Sequence, residues 1–376
     1  MKKVLIIARK LSIGGAEKVA RDIGYYADKS KYDIHYLVFG DDINTYETEL
    51  ENKGCKIIHM DPPNKNYFSY FKNLYNLIKK EKYDIIHSHT MFSSGWAMYI
   101  GYKCGVPVRI SHSHTIRGPE KRGFVKNSYE GFMRRVINKY STHFIGCGVS
   151  AGYWLFGKEK FDKEGIIIFN GIDLNKYRYD ESKRYSIRKQ YGIDDCKVIG
   201  HVGHFADVKN QQYLVSLLPQ LIENKEKIVL MLLGDGETTG KIMDLIHSMN
   251  LENHVIITGN VNNVGDYLSA MDVFAFPSKY EGMPLSLIEA QANGLPCVIS
   301  KTIPKDIYLT NLVTPLPVDD DSIIKWINCI LSLGRNKPEQ YFSIIEQTGY
   351  STDTMLAEIY KIYEGGNNFE WKSNNR

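Results

Sequence analysis

The sequence predicts an α/β protein made of two doubly wound parallel-sheet domains. Three observations predict it. Short β-branched runs recur along the whole chain and alternate with amphipathic helical stretches, the pattern of strand–helix–strand units. Twelve such runs in 376 residues exceed what one twisted open sheet usually holds, about ten strands. The charge also changes sign: residues 1–170 carry 27 Lys and Arg against 17 Asp and Glu, the remainder 20 against 26. Opposite signs in the two halves suggest domains with different partners.

The first strand is the apolar run Val4–Ala8, closed by Arg9-Lys10, and the helix after it carries Val19, Ile23 and Tyr26 at helical spacing. Ile34–Phe39, Lys56–His59, Asp84–Ser88, Val106–His112, Thr142–Gly146 and Gly165–Phe169 complete the first half. The chain then turns at Asn170-Gly171-Ile172-Asp173 into a polar, Tyr- and charge-rich stretch, which sets the domain seam at 169/170. Val198–Val202, Ile228–Leu233, Val255–Thr258, Val273–Phe276 and Pro296–Ile299 are the strands of the second domain, 170–350. A last helix, about 351–364, has Met355, Leu356, Ile359, Tyr360 and Tyr363 on one face and is expected to pack back on domain 1–169. Residues 365–376, opening on Gly365-Gly366, are expected to fray.

Composition excludes several classes. Hydrophobic residues at 43% and charged residues at 24% are ordinary for a globular chain and rule out disordered, collagenous or disulfide-scaffold readings. The six cysteines are far apart with no C-x-x-C pair, which fits free thiols in a reducing compartment. The basic start and short apolar run do not make a signal peptide, and no stretch nears the ~20 apolar residues that span a bilayer. A cytoplasmic protein, free or peripheral on the inner face of the plasma membrane, is expected.

Ligands of doubly wound sheets bind beyond the carboxyl ends of the strands, so chemistry is sought just after each strand. Gly14-Gly15, after the first, lets backbone approach a ligand and opens a helix whose free N–H groups suit an anion, although a plain tight turn has the same look. Gly146 to Ala151 fits G-x-G-x-x-A, but it follows the sixth strand and has no acidic partner, which disfavours a nicotinamide site. Asp319-Asp320-Asp321 precedes a helical pattern and reads as capping acids rather than a metal site. The most informative stretch runs from Ser278 to Pro296. Glu281 stands before a helix begun by Gly282, Met283, Pro284 and Leu285, and Glu289 stands inside it, seven residues intervening. Helix-start N–H groups beside a glycine suit a phosphate, and a carboxylate further along can accept from sugar hydroxyls.

This stretch resembles the E-x7-E element of the retaining glycosyltransferases of family 4, which have the GT-B fold of two Rossmann-like domains facing across a cleft. Gly14-Gly15-Ala16-Glu17, Asn170 to Asp173, Gly203 to Lys209-Asn210 and Leu233-Gly234-Asp235-Gly236-Glu237 agree in order. The resemblance implies an acceptor-binding first domain and a nucleoside-diphosphate-sugar-binding second one. It gives Lys209 the diphosphate, with the amides of Gly282 and Met283, and Glu289 the ribose. Glu281 meets the donor sugar, and Gly259-Asn260-Val261 hold the base. It implies a metal-independent hexosyltransferase without a cofactor, using a UDP-sugar and a polysaccharide or lipid-linked oligosaccharide acceptor. His112 or His114, at the end of a first-domain strand, would lie near the sugar.

One departure stands out: the family commonly has Arg where this chain reads His204. Losing one charged hydrogen bond costs roughly 1.5–3 kcal/mol; either His204 replaces it as imidazolium or it merely packs and leaves Lys209 alone on the phosphates. The basic run Arg117, Lys121, Arg122, Lys126, Arg134, Arg135 and Lys139, interleaved with Phe124, Tyr129 and Phe132, suits an anionic lipid surface or a solvated helix face. No RNA-binding signature accompanies it, so nucleic acid is not expected. A UDP-N-acetylglucosamine 2-epimerase and a non-catalytic nucleotide-sugar-binding subunit are the alternatives on the same fold.

Overall fold

A computed structural model of the chain describes residues 1–12, 14–40, 45–114, 123–223, 227–335 and 338–366. The chain divides into two units: Met1–Gly171 joined by the segment from Thr352 onward, and Ile172–Ser351.

The first unit is a seven-stranded parallel sheet in the order β3-β2-β1-β4-β5-β6-β7. Its strands are β1 Lys2–Ile7, β2 Tyr32–Phe39, β3 Lys56–Met60, β4 Ile85–Ser88, β5 Val108–Ser113, β6 His143–Gly146 and β7 Gly165–Ile167. Val4 to Ile7 are all fully buried because the sheet is covered on both faces. Strand alternation sends Val4 and Ile6 to one core, with Tyr363 of the last helix, and Leu5 and Ile7 to the opposite core under the helix Tyr67–Glu81.

The last helix, Thr352–Glu364, buries Met355, Leu356, Ile359, Ile362 and Tyr363 in that first core, and Tyr360 donates to the Ile23 carbonyl at 2.7 Å. The seam expected at 169/170 falls at 171/172, because Asn170 and Gly171 are tied into the first unit. His114 donates to Asn170 Oδ1 at 2.9 Å and Lys18 to the Gly171 carbonyl at 3.1 Å. Of the expected frayed tail, residues 367–376 lie outside the described residues.

The second unit is a six-stranded parallel sheet in the order β10-β9-β8-β11-β12-β13. Its strands are β8 Lys197–Val202, β9 Ile228–Leu233, β10 Val255–Gly259, β11 Val273–Phe276, β12 Cys297–Ser300 and β13 Val313–Leu316. β13 is absent from the sequence reading. It holds Pro315 and lies at the sheet edge, where a residue without an N–H is tolerated. Asp319 to Asp321 precede the helix Ile323–Ser332, but its N-cap is Ser322 and no side chain among the described residues caps it.

Gly146 of the G-x-G-x-x-A stretch serves packing: a β-carbon on it would stand 3.0 Å from the Phe161 ring and from the Gly148 carbonyl oxygen. All six cysteines are free thiols. No helix among the described residues is long and apolar enough to cross a membrane.

Candidate active site

β8 and β11 are neighbours, while the strand following β8 in sequence, β9, lies on its other side. The connections after β8 and β11 therefore diverge and open a crevice at the carboxyl ends of these two strands, the usual ligand position in such sheets. Two loops meet there, Gly203–Asn210 and Pro277–Pro284. The Lys279 N–H donates to the Val208 carbonyl at 2.8 Å, and Asn210 Nδ2 donates to the Pro277 carbonyl at 3.4 Å. Asn210 has φ 58°, a left-handed turn that asparagine tolerates, and it starts the helix Gln211–Ile222.

These ties bring the two loops' charged groups together. Lys209 Nζ lies 2.7 Å from Glu281 Oε1 and 5.3 Å from the Phe276 ring centroid. With side chains 19% and 13% exposed, the pair is worth only ~1 kcal/mol net; its effect is to hold both groups at the crevice. Beyond Glu281, Gly282 and Met283 lead into the helix Leu285–Ala292. Pro284 occupies the N-cap position without a side-chain cap bond; the Leu287 N–H turns back to the Pro284 carbonyl at 3.1 Å, and no side chain among the described residues caps the amides before it. Glu289 is half-buried on the same helix.

Glycines let three strand ends crowd together here. Gly234 has φ 133°, and a β-carbon on it would stand 2.1 Å from the Gly203 carbonyl oxygen. Its N–H donates to the Gly259 carbonyl at 2.9 Å. Gly259 turns the chain at φ 67° so that Asn260 is exposed and Val261 packs on the core.

His204 stands on the loop after β8 and faces the loop after β9. Its Nε2 lies 2.7 Å from Glu237 Oε2, with both side chains about two-thirds exposed (65% and 66%), so a carboxylate of the β9 loop engages the ring.

The buried His201 was not singled out from sequence. It donates from Nδ1 to the Ala275 carbonyl at 3.0 Å, which leaves Nε2 as acceptor for Gln211 at 3.4 Å. Burial, aided by the charge of Lys209, lowers its pKa to about 4. The unfolded chain, near 6.5, takes up a proton that the folded chain refuses. Stability from this group is therefore complete above pH 6.5 and declines as the pH falls towards 4, by up to ~3 kcal/mol. Urea melts from pH 7.5 to 4.5 should show this loss, and His201→Gln should shallow the slope by about one proton.

In the first unit Gly14 and Gly15 start the helix Gly15–Tyr25. The Glu17 carboxylate folds back over Gly14, where a β-carbon would stand 2.3 Å from its Oε2. His112 and His114 are both buried on β5 and just after it, and the structure joins them to two histidines absent from the sequence reading. His87 Nε2 is 3.2 Å from His112 Nδ1, and His89 Nδ1 is 2.7 Å from His114 Nε2. Burial holds all four rings below the ordinary histidine range, His87 to about 3 and His114 to about 4; for His114 the Asn170 hydrogen bond opposes the shift. The signal was present: His-Ser-His occurs twice, at 87–89 and 112–114, and period-two spacing on adjacent strands puts all four rings on one face.

Of the basic run, Arg117, Lys121 and Arg122, like the Phe124 side chain, lie outside the described residues. Arg134 donates to the Leu155 and Trp154 carbonyls; Lys126, Arg135 and Lys139 are exposed.

Comparison with known proteins decides the family. The model for "Glycosyl transferases group 1" matches residues 183–346, and that for "Glycosyltransferase Family 4" matches residues 13–176. EpsF of Bacillus subtilis (strain 168), named as a glycosyltransferase, is 30% identical over 370 residues, 96% of each chain. The chain belongs to the family 4 glycosyltransferases. A second relative of this glycosyltransferase is the UDP-Gal:alpha-D-GlcNAc-diphosphoundecaprenol alpha-1,3-galactosyltransferase of Escherichia coli, 30% identical over 275 residues and 70% of each chain. HepE of Anabaena, crystallised with UDP and with UDP-glucose, shares the fold. Its TM-score is 0.79 at 20% identity, covering 97% of this chain and 100% of that one. Lys209, Glu281 and Glu289 fall within the first model's range, and Gly14, His112 and His114 within the second's.

Proposed function

We propose that this glycosyltransferase moves a hexose or N-acetylhexosamine from a UDP-sugar, with retention of anomeric configuration and without a metal, to a lipid-linked oligosaccharide of an exopolysaccharide or capsule. The observation that carries the donor side is the Lys209–Glu281 pair, held at the β8/β11 crevice in front of a helix start with no side-chain cap. When the donor enters, Lys209 turns from Glu281 to the diphosphate, and the amides of Gly282 and Met283 add to it. Glu281 is then released to accept from hydroxyls of the sugar, and Glu289 takes the ribose. Negative charge grows on the departing UDP, and fixed donors that need no reorganisation stabilise it. The acceptor class follows the E. coli relative's name, and the UDP donor follows that name and the ligands of HepE.

A thermal-shift screen with UDP-, GDP- and ADP-sugars tests this reading. A donor at about 100 times its Kd should add ~2.7 kcal/mol. Turnover should then give product of retained configuration by NMR; isomerised donor would mark an epimerase, and binding without turnover a non-catalytic subunit. His204 reaches the diphosphate only by leaving Glu237. His204→Arg should therefore preserve or raise kcat/KM, and a collapse of activity would show that the imidazole itself is required.

For the acceptor, the helix Phe124–Tyr140 offers Val125 and Phe132, 81% and 51% exposed, on the same face as Arg135 and Lys139. This supports docking on an anionic membrane. Phosphatidylglycerol vesicles should sediment the protein and phosphatidylcholine vesicles should not, and Phe132→Ser with Arg135→Glu should abolish the difference.

A further inference from the structure

We infer that His87, His89 and His112 form a binding site for a borderline divalent transition metal, zinc foremost, within the first unit. One ring nitrogen from each lies within 4.8 Å of the others. His89 Nε2 and His112 Nε2 are buried and have no hydrogen-bond partner among the described residues, in side chains of residues only 7% and 0% exposed. Buried ring nitrogens normally have partners, and leaving one without is unfavourable.

The surrounding bonds suit coordination. Asn170 Oδ1 can only accept, so His114 Nδ1 carries a proton and donates to it at 2.9 Å. His114 Nε2 then accepts from His89 Nδ1–H at 2.7 Å, which leaves the His89 Nε2 lone pair bare. That is the tautomer a metal-bound histidine has, with its other nitrogen donating to an outer partner that fixes the ring. His87 Nδ1 lies 2.8 Å from the Tyr363 hydroxyl and its Nε2 faces His112 Nδ1 at 3.2 Å, so ligation through Nε2 keeps the first contact and exchanges the second for the metal.

A tetrahedral ion at ~2.0–2.1 Å from each nitrogen brings them to about 3.3 Å of one another, a closure of up to about 1.5 Å by side-chain rotation. Three imidazoles and a fourth position for water or hydroxide suit zinc, cobalt, nickel or copper. They do not suit magnesium or calcium, which take oxygen ligands. None of these residues belongs to the Lys209–Glu281 element, so metal binding can be tested apart from the donor site, although His112 is one of the two histidines the family resemblance sets near the sugar.

The test uses the full chain, stripped with EDTA and titrated with Co2+. A single equivalent should bind, with the visible bands of a tetrahedral nitrogen site; Zn2+ should displace it and Mg2+ should not. His89→Gln and His112→Gln should each weaken binding at least about 10-fold, whereas His247→Gln, exposed in the other unit, should leave it unchanged. If a variant fails to fold by near-ultraviolet circular dichroism, Cu2+ paramagnetic resonance on the unaltered protein decides by counting coordinated nitrogens, expected to be three. Absence of stoichiometric binding, fewer nitrogens, or full binding in a folded His89→Gln or His112→Gln chain overturns the inference.

Discussion

Lys209→Ala should lower kcat/KM for sugar transfer by about 10²- to 10³-fold, the usual loss when one fixed donor to a developing negative charge is removed. The melting point should hardly change. The Lys209–Glu281 pair is partly exposed, so its net contribution to folding is ~1 kcal/mol. Lys209→Arg should recover part of the activity, since it restores charge on a planar group of different reach. Steady-state kinetics beside thermal melts check both halves. Activity within about threefold of the parent would remove Lys209 from the chemistry.

The largest stability effect should come from Gly234→Ala. The substitution forces a side chain onto φ 133° and drives a methyl to 2.1 Å from the Gly203 carbonyl, which is backbone and cannot swing aside. Strain of ~1–3 kcal/mol adds to overpacking of ~1–3 kcal/mol. The unit holding the site should therefore melt on the order of 10 °C lower. UDP affinity should fall with it, because Gly203 opens the loop that carries Lys209. Gly240→Ala is the contrast: a β-carbon added there meets nothing among the described residues within 4 Å, and the residue lies in the helix Thr239–Ser248, so the change should be neutral or stabilise by up to ~1 kcal/mol. Equal melting of the two variants would refute the crowding at the strand ends.

Much of the fold was legible because parallel strands covered on both faces must be apolar almost throughout, as at Val4 to Ile7 and Ile228 to Leu233. What escaped were places where that rule relaxes. β13, at an edge and with Pro315 inside it, does not look like a strand. β1 begins at Lys2 rather than Val4 because Lys2 and Lys3 pair with Tyr32 and Asp33, which no apolar run can indicate.

The candidate site is legible where a pattern is written locally, in the spacing of Glu281, Gly282 and Glu289 along one turn and helix. It was not legible where partners are remote in sequence. Glu237 as the neighbour of His204, and His87 and His89 beside His112 and His114, arise only when strand ends are set side by side. The two His-Ser-His triplets could have been found by asking which strands would be adjacent.

A crystal structure of the protein with UDP tests the donor reading most directly. Diphosphate density should lie against Lys209 Nζ and the amides of Gly282 and Met283, with the Lys209–Glu281 contact opened and the ribose at Glu289. A nucleotide bound elsewhere, with the 2.7 Å ion pair intact and Glu289 untouched, would contradict it.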